Sequence, residues 1–121
     1  MAIQGEYFAI PGLKATGDLS SSQYLAVKMA STAGAVKVCS ATTDNPCGIL
    51  QNKPTDGQPA EVAFTGCVKA QLAASVTVSK FLGPNTTGQL AATSVRSNYT
   101  IAKSIEASTN AGEIHPVLLT D

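Results

Sequence analysis

The sequence predicts a small all-β domain, a β-barrel or β-tulip, with an extended N-terminal arm. Three observations predict it. Short β-branched runs alternate apolar and polar residues with a period of two. Turn signals separate those runs at a spacing of about ten residues, the rhythm of a closed barrel or a sandwich. The first residues are apolar without any period. At 121 residues the chain fits one domain, with the arm at 1–16 and the barrel at 17–121.

In the arm, Tyr7, Phe8, Ile10 and Leu13 are apolar, while Gly5, Pro11 and Gly12 break any helix or long strand. A segment of this kind either docks on a neighbour, by strand addition to an open edge, or folds back on its own barrel. We take docking as the expectation, with those four residues as the candidate contacts. Ordering one arm costs more entropy than its four side chains return, so one arm binds weakly and arms gathered in an oligomer bind well. Its removal is expected to leave the barrel folded.

The body then reads as strands with one buried face. Leu25, Val27 and Met29 alternate with Tyr24, Ala26 and Lys28; Val36 and Val38 with Ala35, Lys37 and Cys39; Val62 and Phe64 with Glu61, Ala63 and Thr65. Val68, Ala70 and Leu72 alternate with Cys67, Lys69 and Gln71, and Val76 and Val78 with Ser75, Thr77 and Ser79. Ala33-Gly34, Asp44-Asn45-Pro46, Asp56-Gly57, Thr65-Gly66, Gly83-Pro84-Asn85 and Thr87-Gly88 mark the turns. Ile101 to Ser108 reads as a strand or a single helical turn, the strand being favoured by its shortness. Pro116 in the run Glu113 to Leu119 cannot donate to a ladder, which assigns that strand to an edge or a bulge.

Composition excludes several functions. The chain is 44% hydrophobic but 5% aromatic, so its core is aliphatic. Charged residues are 13% and the net charge is zero, which argues against nucleic acid as a partner and leaves little repulsion between copies. No stretch has the apolar length of a membrane span, and no basic region precedes an apolar one at the start, so synthesis and retention in the cytosol are expected. The three cysteines, Cys39, Cys47 and Cys67, do not form a secreted disulfide framework.

No catalytic, cofactor-binding or metal residues are expected, and the chain is not expected to be an enzyme. Cys39, Cys47, Cys67 and His115 are the soft ligands, but no pair has the close spacing of a zinc site, and alternation points Cys39 and Cys67 away from the buried face. His115 is the single histidine and no nucleophile elbow accompanies it, so it reads as a polar strand residue. The carboxylates are scattered through turns and strand ends without a facing pair. Gly83-Pro84-Asn85-Thr86-Thr87-Gly88 lacks the Lys-Ser/Thr end of a phosphate loop. Tyr24 and Tyr99 are the aromatics that a carbohydrate- or host-surface-binding barrel would expose, and such a module is the alternative function.

Three stretches carry a family likeness: Gly17-Asp18-Leu19-Ser20 leading into Tyr24-Leu25-Ala26-Val27-Lys28; Cys47 to Gly66 with its Lys53-Pro54-Thr55-Asp56-Gly57 turn; and Gly112-Glu113-Ile114 with Val117-Leu118-Leu119. Together they resemble the small capsid decoration (cement) proteins of tailed bacteriophages. The resemblance implies a structural virion protein on the outer face of an icosahedral head, made in the host cytoplasm. It further implies a homotrimer that holds neighbouring capsomers, with the major capsid protein and its own copies as partners and no cofactor. Tyr7, Phe8, Ile10 and Leu13 would then contact the capsid or a sister subunit. The run from Phe81-Leu82-Gly83-Pro84 to Ala91 departs from the family pattern.

Overall fold

The computed structural model describes residues 7–93 and 99–119. Among them it is all β, with ten strands: β1 (Tyr7–Ala9), β2 (Lys14–Ala15), β3 (Ala26–Met29), β4 (Ala35–Val38), β5 (Gly48–Leu50), β6 (Val62–Leu72), β7 (Phe81–Pro84), β8 (Leu90–Thr93), β9 (Ala102–Ser104) and β10 (Glu113–Leu119). Strands β6, β10, β9, β7 and β8 pair in a closed ring, and β8 returns to β6 through Leu72 and Leu90. The remaining path, β5-β3-β4-β2, extends as a sheet from the first part of β6, and β1 pairs with β6 as well.

The long strand β6 makes this architecture possible. Its eleven residues serve four partners: β5 and β1 near Val62 and Ala63, then β10 and β8 toward Leu72. The change of partner centres on Gly66, whose φ of 107° no β-branched residue would tolerate. Thr65-Gly66 is therefore a bend inside one strand rather than the expected turn. The pairing of β1 slips register beside it, as a bulge does.

Beyond the bend, alternation holds as expected. Val68, Ala70 and Leu72 face into the barrel and meet Val76, Leu82, Leu90, Ile101, Val117 and Leu119. Before the bend it fails, because the sheet there is buried on both faces. Ala26, Cys39, Ile49 and Ala63 pack into the barrel's cluster. Their chain neighbours Val27, Leu50 and Val62, together with Val36, pack into a second cluster with Leu13, Ala15, Leu19 and Ala60. Two corrections follow. Cys39 is fully buried rather than outward-facing, since Cys39 N–H donates to Ala26 C=O and the two residues share the barrel side of the sheet. In β6, Val62 and Ala63 are both buried while Phe64 is partly exposed, so Val62 and Phe64 do not share a core face.

The N-terminal segment supplies the lid of that second cluster. Ile10 N–H donates to Val62 C=O, Lys14 N–H to Gly34 C=O, Ala15 N–H to Gln58 C=O and Thr16 N–H to Val36 C=O. Between Tyr7 and Thr16 the chain is therefore folded onto its own body, the alternative to docking. Residues 1–6 lie outside the described residues.

The expected strand at Ser75–Ser79 is instead a loop with two tight turns, in which Ser75 and Ser79 adopt φ of 63° and 61°. Val76 is buried but Val78 is 53% exposed. Two buried serines across the barrel mouth replace the ladder. Ser108 Oγ donates to Ala73 C=O at 2.6 Å and accepts from Val76 N–H at 3.3 Å. Ser104 Oγ donates to Thr77 C=O at 2.7 Å and accepts from Lys80 N–H at 2.9 Å. These hydroxyls satisfy backbone groups that no strand serves. Ser108→Ala is expected to cost about 1–3 kcal/mol, read as a lower urea midpoint with the slope unchanged. An unchanged midpoint would show the hydroxyl to be dispensable.

Ile101–Ser108 is a strand only over Ala102–Ser104. β10 is an edge on one side up to Pro116, and pairing with β9 begins at Val117, one residue after the missing donor.

Candidate docking surface

The four arm residues are not brought to one surface. Leu13 is 8% exposed and belongs to the second cluster, so it is core rather than a contact. Ile10 is half-buried against the same cluster. Tyr7 packs against the barrel core, and its hydroxyl donates to Glu61 Oε2. Phe8 alone stands out, 71% exposed on β1 opposite Thr65. The reason is that its neighbour Tyr7 takes the inward side of β1, which leaves Phe8 to solvent.

Leu118, which sequence patterning assigned only to a strand, joins Phe8. It pairs with Cys67 on β6 and Lys103 on β9 and is 46% exposed. Tyr7 packs against the barrel core and Val117 and Leu119 are buried, so their neighbours Phe8 and Leu118 each point outward, either side of the Gly66 bend. Lys103 continues this face, with its ammonium 5.9 Å from the centre of the Phe81 ring. The signal available in the sequence was an apolar residue on the outward side of β10, a side it shares with Ile114, visible only once the register with β6 is known. Beside the arm runs an open cleft of about 540 Å³ between Ile10–Lys14 and Asn52, Pro59 and Glu61.

The groups tested for chemistry lie elsewhere. Burial, with the Asp44 carboxylate second, pushes the Cys39 thiol up to about 12, and burial pushes Cys47 up to about 11. Both stay protonated and are poor nucleophiles. Cys39 and Cys47 flank β3 on opposite sides, bonding Ala26 C=O and Val27 C=O. Two strand spacings, about 9–10 Å, thus separate them, too far for a disulfide. Asp44 is committed to structure: it pairs with Lys28 Nζ at 2.8 Å and accepts from Ser40 and Ala41 N–H, contacts that hold its carboxyl below the usual range. Among the described residues no group of three or more His, Cys, Asp and Glu could hold a metal ion, and no helix is long and apolar enough to cross a membrane. Tyr24 lines a second cleft with Gln23, Lys53 and Gln71, a cleft that Tyr99 does not line.

His115 is more than a polar strand residue. Its ring lies between two carboxylates, Nδ1 at 2.7 Å from Glu106 Oε1 and Nε2 at 2.8 Å from Glu113 Oε1. Glu113 also accepts from Asn110 N–H at 2.9 Å, which ties the 106–113 loop to β10. Glu113, then Glu106, raise the imidazole above its ordinary value of 6.5. The imidazolium, with the backbone donors of Asn110 and Thr109, lowers Glu113 from 4.5 to about 2. The raised histidine contributes stability that is whole below pH 6.5 and is lost as pH rises through its folded value. The lowered glutamate contributes stability that is whole above pH 4.5 and is lost as pH falls toward 2. Thermal melts across pH should show the clamp at full strength between 4.5 and 6.5. The advantage over His115→Gln should vanish in alkaline medium. A constant difference across pH would dismiss the clamp.

No protein-family model and no curated protein matches the sequence. Among solved structures, the chain is similar to the N base of head fiber gp8.5 of bacteriophage phi29, with a TM-score of 0.66 and 13% identity, covering 95% of this chain and 93% of that one. The likeness spans the barrel and the sheet built on β6 alike, so the whole two-part architecture is a fold already known in that head fiber base.

Proposed function

We propose that this chain is a structural protein of a bacteriophage head, a decoration or cement subunit on the outer surface of the shell. The observation that carries the reading is the likeness of nearly the whole chain to the N base of a phage head fiber. The decoration-protein resemblance of the Gly17–Lys28, Cys47–Gly66 and Gly112–Leu119 stretches leads independently to the same setting. In this reading the major capsid protein is the partner and the subunit acts as a homotrimer across neighbouring capsomers. The outer face bearing Phe8 and Leu118 is the contact. Zero net charge suits close packing of many identical copies, and symmetry turns weak single contacts into firm attachment.

The test is co-sedimentation of the purified chain with phage heads assembled without it. Saturable binding at a fixed copy number is expected, reduced at least tenfold in affinity by Phe8→Ala. Heads that pellet without the chain would overturn the proposal. Full binding by Phe8→Ala would remove the assigned contact while leaving the head role in place.

A further inference from the structure

The cleft around Tyr24 is built differently from the rest of the surface. It has a volume of about 220 Å³ and is lined by Ser20, Ser21, Gln23, Tyr24, Lys53, Gln71 and Ile114. Tyr24 sits there at φ 71°, a conformation that a tyrosine rarely adopts. It is held by two backbone contacts, with a third on the neighbouring residue. Tyr24 N–H donates to Leu50 C=O at 2.6 Å, Tyr24 C=O accepts from Gln71 N–H at 2.8 Å, and Gln71 Nε2 donates to Gln23 C=O at 2.9 Å. Gln23 Nε2 in turn donates to Gln51 C=O at 2.9 Å. Each amide thus spends one of its two N–H donors on the frame. Among the described residues, the Oε1 atoms of Gln23 and Gln71, the Tyr24 hydroxyl and Lys53 Nζ make no hydrogen bond within the chain.

We propose that this cleft is a binding site for one saccharide unit. The two amide oxygens accept from sugar hydroxyls, and Lys53 and the Tyr24 and Ser21 hydroxyls donate to them. Ile114, 41% exposed, offers an apolar wall for the C–H face of the ring. A hydroxyl-rich ring needs acceptors and donors side by side, which this lining supplies. A phosphate would meet two carbonyl oxygens against one cation, and an apolar ligand would strand four polar atoms. Strain at Tyr24 fits a position fixed ahead of binding. Lys53 gives sugars bearing a carboxylate the advantage. The site is independent of the head role and of the Phe8 face.

Titration of the ¹⁵N-labelled chain with methyl β-glucoside and methyl β-glucuronide tests it. Backbone shifts are expected at residues 20–24, 53, 71 and 114, with a Kd on the order of millimolar and tighter for the glucuronide. Lys53→Gln should remove the preference for the glucuronide and keep binding of the glucoside. Tyr24→Asn keeps a residue suited to positive φ while removing the ring, and should weaken both sugars about tenfold. Tyr24→Phe covers the case in which that variant does not fold, and should weaken both severalfold. Shifts absent for both sugars, located elsewhere, or unaltered by Lys53→Gln and the Tyr24 variants would overturn the proposal.

Discussion

Gly48→Ala is expected to destabilise the fold by about 3 kcal/mol or more, toward the upper end of what overpacking does. A Cβ at this position would lie 2.3 Å from Ala63 C=O and 2.5 Å from Val62 Cγ1. The nearer neighbour is backbone, which cannot rotate away. It belongs to β6, and β6 cannot retreat, because β1, β8 and β10 hold it as well. β5 would have to withdraw instead. That opens the Ile49–Ala63 and Leu50–Val62 pairs, the junction through which the sheet path β5-β3-β4-β2 joins the barrel. Ile49 and Leu50 are fully buried on opposite faces, so both clusters lose packing at once. Urea denaturation measures the loss. Labelling of the Cys39 thiol, fully buried in the same cluster as Ile49 and Ala63, reports its opening. An unchanged midpoint with Cys39 still protected would show that β5 and β6 do not meet at this distance.

The same junction explains how much of the fold could be read in advance. The barrel strands are legible because each has one dry face: Val68, Ala70 and Leu72 mark it by alternation. Around β3, β5 and the start of β6 both faces are dry, so Ala26-Val27, Ile49-Leu50 and Val62-Ala63 read as apolar pairs whose faces period-two counting cannot separate. The Ser75–Ser79 run imitates a strand, since Val76 and Val78 alternate with hydroxyl residues. Its geometry is set by Ser104 and Ser108, some thirty residues away, which no local pattern reveals. Gly66 reads as a turn because a positive φ serves a turn and a bulge equally well. Of the candidate contacts, Phe8 was visible from its own segment, while Leu118 needed the register of β10. The His115 clamp needed the fold to bring Glu106 and Glu113 to one ring. The saccharide cleft needed it to bring Gln23, Lys53 and Gln71 together.

Leu13→Ala and Phe8→Ala are expected to part company, and the contrast decides what the N-terminal segment is for. Leu13 is core: it fills the second cluster between Ala15, Leu19 and Ala60, and its C=O accepts from Ala60 N–H at 2.9 Å. Truncation there removes buried methyl groups from the layer that covers this sheet face, a loss of about 2–4 kcal/mol. Phe8 is 71% exposed, so its truncation should leave stability within about 0.5 kcal/mol of wild type. Binding to heads should respond in the opposite order, with Phe8→Ala impaired while fully folded and Leu13→Ala binding normally wherever it remains folded. For the same reason, removal of residues 7–14 should expose Val27, Val36, Leu50 and Val62 and unfold the sheet, rather than leave an intact barrel lacking an arm. Paired urea titrations and co-sedimentation of the two variants give the answer. Equal stability of Leu13→Ala and wild type would return this segment to the role of a detachable arm. Equal binding by both variants would take Phe8 out of the contact.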